Sequence, residues 1–204
     1  MNYAFHHPAE LLELTWEHVQ LVTISLVIAC AIALPLGVFV ARNRRAGGVV
    51  LAALNVVYTI PSLALLALLI PLFGVSEVTA LVALVAYAQM ILVRNVATGL
   101  RGVAPALVDA ARGIGMTPAQ IFWRVELPQA LPAIVGGIRV ATVALIALAT
   151  LAAFISAGGL GVLVLYGLKH DYPERAITGS LMAALLAILA DLGLRAVERR
   201  LTNA

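Results

Sequence analysis

Charge is what this sequence has least of. Only 11% of its 204 residues are Asp, Glu, Lys or Arg, against about a quarter in soluble domains. With 63% hydrophobic residues and a mean hydropathy of +1.05, that shortage excludes a soluble globular protein and implies an integral membrane one. Cysteine is nearly missing as well: Cys30 stands alone inside the first apolar run, so an intrachain disulfide and a cysteine-built metal site are both excluded. There is no His-Glu-x-x-His pair for a metalloprotease, and no lysine-bearing glycine loop to cradle phosphates. A serine protease would need His170 to activate Ser180, and His170 lies in a polar turn, so an intramembrane enzyme is a distant alternative. The net charge of +3 is not gathered on one soluble face, which removes the case for nucleic acid.

What is abundant is long apolar sequence. Five stretches reach the roughly 20 residues needed to cross a hydrocarbon core: Leu21–Ala41, Gly47–Leu72 with a soft break at Pro61, Val78–Leu100, Leu131–Ser156 and Ala176–Val197. The expected fold is therefore all-α, with five transmembrane helices. Residues 1–20 form an N-terminal external or interfacial segment, in which Leu11, Leu12, Trp16 and Val19 face the interface. That segment has no Lys or Arg ahead of its apolar run and is expected to be retained rather than cleaved as a signal peptide. His6, His7 and His18 are expected on a solvated terminus rather than around a metal. With five crossings, Arg42, Arg44, Arg45, Arg101, Arg112, Arg124, Arg195, Arg199 and Arg200 share one side. By the positive-inside rule that side is cytoplasmic, leaving the N-terminus outside and the C-terminus inside.

The one substantial polar interruption, residues 101–130, reads as two short helices. Pro105 suits a first helical turn, and Gly113 and Gly115 end the first helix after Arg112. Thr117-Pro118-Ala119-Gln120 restarts it with a capping box, and Pro128 is expected to stop it again. Between spans four and five, Ala157-Gly158-Gly159-Leu160-Gly161 reads as a tight turn followed by a short helix from Val162 to Leu168.

Asp109-Ala110-Ala111, then Gly115, then Val125-Glu126-Leu127-Pro128 resembles the EAA loop of binding-protein-dependent ABC import permeases. Asp109 replaces that pattern's glutamate and Val125 its isoleucine, and the spacing matches throughout. The resemblance implies a type I importer permease core occupying residues 21–200, with the loop as a pair of cytoplasmic coupling helices. Asp109, Ala110, Ala111, Gly113, Gly115, Phe122 and Trp123 would then engage a cytoplasmic ATPase, which would carry Mg-ATP while this chain binds no cofactor. It also implies a second permease subunit, identical or homologous, two ATPase subunits, an external binding protein, and the cytoplasmic (inner) membrane of a bacterium or archaeon.

Three further stretches, Thr59 to Pro71, Val93-Arg94-Asn95 with Thr98-Gly99-Leu100, and Leu151 to Gly161, look like permeases of osmoprotectant importers. Those carry glycine betaine, carnitine, choline or proline betaine; a methionine-type amino-acid importer is the alternative. No aromatic cage for a quaternary ammonium is legible, since the aromatics are scattered. Asn55, Tyr58, Thr59, Ser62, Tyr87, Gln89, Thr142 and Thr150 are the candidates for lining a translocation path, because buried polar groups in a span need partners or a function. Interhelical hydrogen bonding is the alternative for each. Asp191 is expected to pair with Arg195 one turn on, as a structural ion pair, and Arg94 and Arg139 to reach toward headgroups.

Overall fold

The computed structural model describes residues 2–202, and every element among them is helical. After α1 (Asn2–His6), helix α2 runs unbroken from Pro8 to Arg42, over 35 residues. Pro8 sits in the first turn, where its missing N–H costs nothing. No break separates the N-terminal stretch from the first span: Leu11, Leu12, Trp16 and Val19 are on the same helix, with Leu11 buried and Leu12 and Trp16 exposed.

The soft break expected at Pro61 is a sharp one. Helices α3 (Arg44–Thr59) and α4 (Ser62–Phe73) meet at 98°. Proline has no N–H to donate and pushes the residue before it out of the helical region. Ile60 and Pro61 are accordingly both extended, and two extended residues in a row turn the chain. Four helical stretches among the described residues are long and apolar enough to cross a membrane, and the bent pair makes a fifth if it counts as one span.

Helix α5 (Glu77–Arg101) is the central post. Against one side lie Ala29, Ala33 and Gly37 of α2, spaced every four residues so that one flat stripe faces α5. A Cβ on Gly37 would stand 2.5 Å from Val96. Helix α8 (Leu127–Ala149) repeats the device with Gly137, where an added Cβ would fall 2.4 Å from Asn95, and with Ala141. Small residues are the means by which helices approach closely where lipid supplies no hydrophobic drive.

At the far end α8 tightens into a 3-10 turn, Thr150–Ile155. Ser156, Gly158 and Gly159 then take left-handed backbone and lead into α9 (Gly161–Lys169) and α10 (Pro173–Thr202). The expected tight turn and short helix are therefore present. Glu17 of α2 holds this turn by accepting from the Gly159 N–H at 2.9 Å. His18 beside it is fully buried, with Nε2 3.1 Å from the Ile146 carbonyl. It is thus a core residue, whereas His6 and His7 are exposed as expected. Nearby, the Arg175 guanidinium lies 4.1 Å from the Tyr166 ring centroid and 5.2 Å from that of Tyr3, and pairs with Glu10. Burial and then the hydrogen bond to Glu10 push the Tyr3 phenol up to about 12.

Glycine contacts set the first testable outcome. A Cβ on Gly161 would come within 2.0 Å of the Thr150 carbonyl oxygen, whereas one on Gly48 would meet nothing. Gly161→Ala is expected to cost at least about 1–3 kcal/mol and lower the thermal midpoint in detergent. Gly48→Ala should leave that midpoint in place or raise it slightly.

Candidate functional site

Two regions collect the sequence-derived candidates. The first is the polar loop at one end of the bundle. Helix α6 (Pro105–Gly113) enters from an extended Ala104, and Gly113 is its last residue rather than a breaker. The reversal falls on Gly115, whose φ of +83° belongs to the left-handed region that a side chain disfavours. Helix α7 (Pro118–Ile121) then starts with the full capping box: Thr117 Oγ1 accepts from the Gln120 N–H at 3.3 Å, and the Thr117 N–H donates to Gln120 Oε1 at 2.8 Å.

Pro128 does not stop this helix. Residues Phe122–Glu126 form a π-turn, and Pro118–Ile155 is one continuous helical stretch of 38 residues. In the π-turn the Leu127 N–H reaches back to the Phe122 carbonyl, five residues away. The widened turn moves preceding carbonyls off the ring of Pro128, so the clash that normally ends a helix is relieved.

Exposure divides the coupling candidates. Asp109 and Ala110 face out, with Asp109 in an exposed 3.2 Å ion pair to Arg112, while Ala111 is buried. Trp123 is 66% exposed, but Phe122 is half-buried, with the Arg42 guanidinium 5.9 Å from its ring centroid. Leu107 and Ile114, which the sequence reading did not single out, are also exposed, Ile114 at 77%. Their sequence signal is weak: Leu107 sits between Ala106 and Val108 and Ile114 between two glycines, and nothing local says which of them faces out. Leu107, Ile114 and Trp123 are the large apolar side chains that this loop exposes.

A second missed feature is how the loop is anchored. Arg42 at the end of α2 makes a bidentate pair with Glu126, at 2.9 Å through Nη1 and more closely through Nη2. Arg101 Nη2 donates to the Val40 carbonyl at 2.5 Å, capping the end of α2. Two arginines that count toward orientation in the sequence thus also tie the loop to the first span.

The second region is a cleft of about 450 Å³ at the α3–α4 bend, walled by α5 and α8. Tyr58, Thr59, Ser62 and Tyr87 all line it. The Tyr87 hydroxyl donates to the Ile60 carbonyl, which lies outside both helical ladders, and the Tyr58 and Tyr87 rings meet edge to face at 5.9 Å. The other path candidates do not join them. Gln89 is buried toward α2, donating to the Ala29 carbonyl at 3.2 Å. Thr142 bonds back to the Ile138 carbonyl at 2.8 Å, and Thr150 to the Ala147 carbonyl at 2.7 Å. Asn55 is exposed and lies outside the cleft lining.

The Asp191–Arg195 pair does not form. Asp191 faces Arg139 of α8 at 3.4 Å, and Arg139 also reaches Glu198 at 3.1 Å, while Arg195 is exposed. Helical geometry explains it: seven residues return almost to the same face, and four overshoot by about 40°. Glu198 therefore shares the α8-facing stripe with Asp191 and Arg195 does not. Arg139 bridges these two carboxylates, a different role from the headgroup contact expected of it.

The family model described as "Binding-protein-dependent transport system inner membrane component" matches residues 33–203. The choline transport system permease protein OpuBB of Bacillus subtilis is 45% identical over 96% of this chain and 90% of its own length. The glycine betaine/carnitine/choline transport system permease protein OpuCB of the same organism is 42% identical over 99% of this chain and 93% of its own. Among solved structures, a chain of the methionine ABC transporter MetNI in an inward-facing conformation superposes with a TM-score of 0.85 at 25% identity, covering 94% of this chain and 95% of that one.

The Arg42–Glu126 anchor is testable directly. Arg42→Ala leaves a carboxylate with a 10% exposed side chain unpaired, and is expected to cost about 2–4 kcal/mol, discounted because the arginine itself is half exposed. Adding Glu126→Gln should recover part of that loss, read as a positive coupling in a double-mutant cycle of thermal midpoints.

Proposed function

The chain belongs to the family of binding-protein-dependent transport system inner membrane components, and from that premise we propose that it is the permease subunit of an ABC importer for trimethylammonium osmoprotectants such as choline, glycine betaine and carnitine. The observation that carries the substrate class is that relatives named for those solutes match nearly end to end at 45% and 42% identity, while the methionine transporter chain stands at 25%. The amino-acid alternative is correspondingly weaker.

Two such chains, identical or homologous, enclose the path. The loop from Pro105 to Trp123 docks on a cytoplasmic ATPase through its exposed apolar side chains Leu107, Ile114 and Trp123, together with the exposed Asp109 and Ala110. Buried apolar anchors dominate such interfaces, which is why the exposed Trp123 is assigned the main contact. ATP is held and hydrolysed on that partner, two copies of which drive the two docking loops together and rock the attached helices between outward- and inward-open states. An external binding protein delivers the solute. The chain crosses the cytoplasmic membrane of its cell with the arginine-rich loops inside. The contacts of Arg42 with Glu126 and of Arg101 with Val40 support this orientation, because they hold the charged end of α2 beside the docking loop.

Uptake by the purified transporter in proteoliposomes, with labelled choline, glycine betaine, carnitine and methionine in turn, tests the proposal. ATP-dependent accumulation of the quaternary amines is expected; methionine accumulating in their place would overturn it. Gly115→Val forces a side chain onto a left-handed residue at the elbow. It is expected to cut uptake by about tenfold or more while the chain still inserts and is recovered from membranes at the normal level. Undiminished uptake in that variant refutes the coupling role.

A further inference from the structure

We infer that the face of the Tyr58 ring is a cation–π seat for a trimethylammonium group in the cleft at the α3–α4 bend, held in place by Tyr87. The inference deepens the proposed function and rests on its substrate class. None of the residues lining the cleft is charged. A permanent cation passing through it must therefore be stabilised without a counterion, and in a low-dielectric span that leaves aromatic faces and backbone carbonyls.

The structure supplies both. Tyr58 lies in the last turn of α3, where carbonyls without helical partners carry the negative end of the helix dipole. Tyr58 is 44% exposed, and its hydroxyl makes no hydrogen bond among the described residues. Tyr87 is the opposite case: 6% exposed, with its hydroxyl committed to the Ile60 carbonyl. That bond pins the Tyr87 ring to the bend, and its edge-to-face contact at 5.9 Å and 71° fixes the plane of Tyr58 in turn. Tyr58 is thus the contact residue and Tyr87 a positioning residue. Ala88, Ala141, Ala144 and Ala147 keep the opposite walls short, and a cleft of about 450 Å³ has room for a solute the size of choline. The seat is one-sided, as a transit site must be, since a closed cage would hold its cargo.

The test is carried out in the whole transporter, purified with its partner subunits and reconstituted. Position 58 is replaced by phenylalanine and by phenylalanines bearing one, two and three fluorines, which drain the ring face of negative charge at almost constant size. Choline uptake, measured relative to Tyr58→Phe, is expected to fall stepwise with each fluorine to about a tenth at three, and to be as low in Tyr58→Leu. Tyr87→Phe, which keeps the ring but loses the Ile60 bond, should raise the KM for choline with less effect on kcat. A flat fluorine series overturns the seat while leaving the importer assignment intact. Loss of subunit assembly across the series, Tyr58→Phe included, would instead make Tyr58 a packing residue against a second copy of the chain and also overturns it. A native transporter that carries no trimethylammonium solute fails earlier, before any substitution is made, and removes the substrate class and the seat together.

Discussion

A backbone in hydrocarbon has no water to bond, so wherever a helix is interrupted something else must take over its orphaned amides and carbonyls. Most of what is particular to this molecule sits at such interruptions. At Ile60–Pro61 the ladder lapses, and a phenol from α5 bonds the released carbonyl. At the Ser156–Gly159 turn a carboxylate from α2 accepts a freed N–H. At the end of α2 the guanidinium of Arg101 caps the terminal carbonyls. In each case the substitute comes from a different helix, so satisfying the backbone also fixes how the helices sit against one another. Glu17, Tyr87 and Arg101 join distant parts of the chain for that reason.

The stripes of small residues work alongside these bonds. Ala29, Ala33 and Gly37 on α2, and Gly137 and Ala141 on α8, bring both helices onto α5 closely enough that a single added carbon would collide. Close approach is what allows a side chain as short as Gln89 to reach the Ala29 carbonyl across the seam. Packing and polar satisfaction therefore depend on the same register, and a slip of either helix loses both.

Much of this was legible in the sequence, because hydropathy and the capping signals are local. The apolar runs, the Thr117–Gln120 capping box and the glycine turn after the fourth span needed only neighbouring residues to be read. What was not legible depended on distant partners. Spacing along one helix points Asp191 to the arginine four residues on, whereas the face it presents to α8, and so its pairing with Arg139, is not visible in the sequence. His18 looked like part of a polar terminus until α8 covered it. Pro128 looked like a stop because nothing in composition announces a π-turn ahead of it. The path candidates divided for the same cause: Tyr58, Thr59, Ser62 and Tyr87 converge on a bend whose angle the sequence did not reveal, while Thr142 and Thr150 spend their hydroxyls on their own helix.

That π-turn has a mechanical corollary. By letting Pro128 pass, it leaves a single arm of 38 residues from Pro118 to Ile155, about 57 Å at 1.5 Å per residue. A tilt of only about 5° over such a length carries the far tip through about 5 Å, the height of one helical turn. An angular change too small to disturb the packing at one end therefore becomes, at the other, a displacement comparable to the width of a small solute.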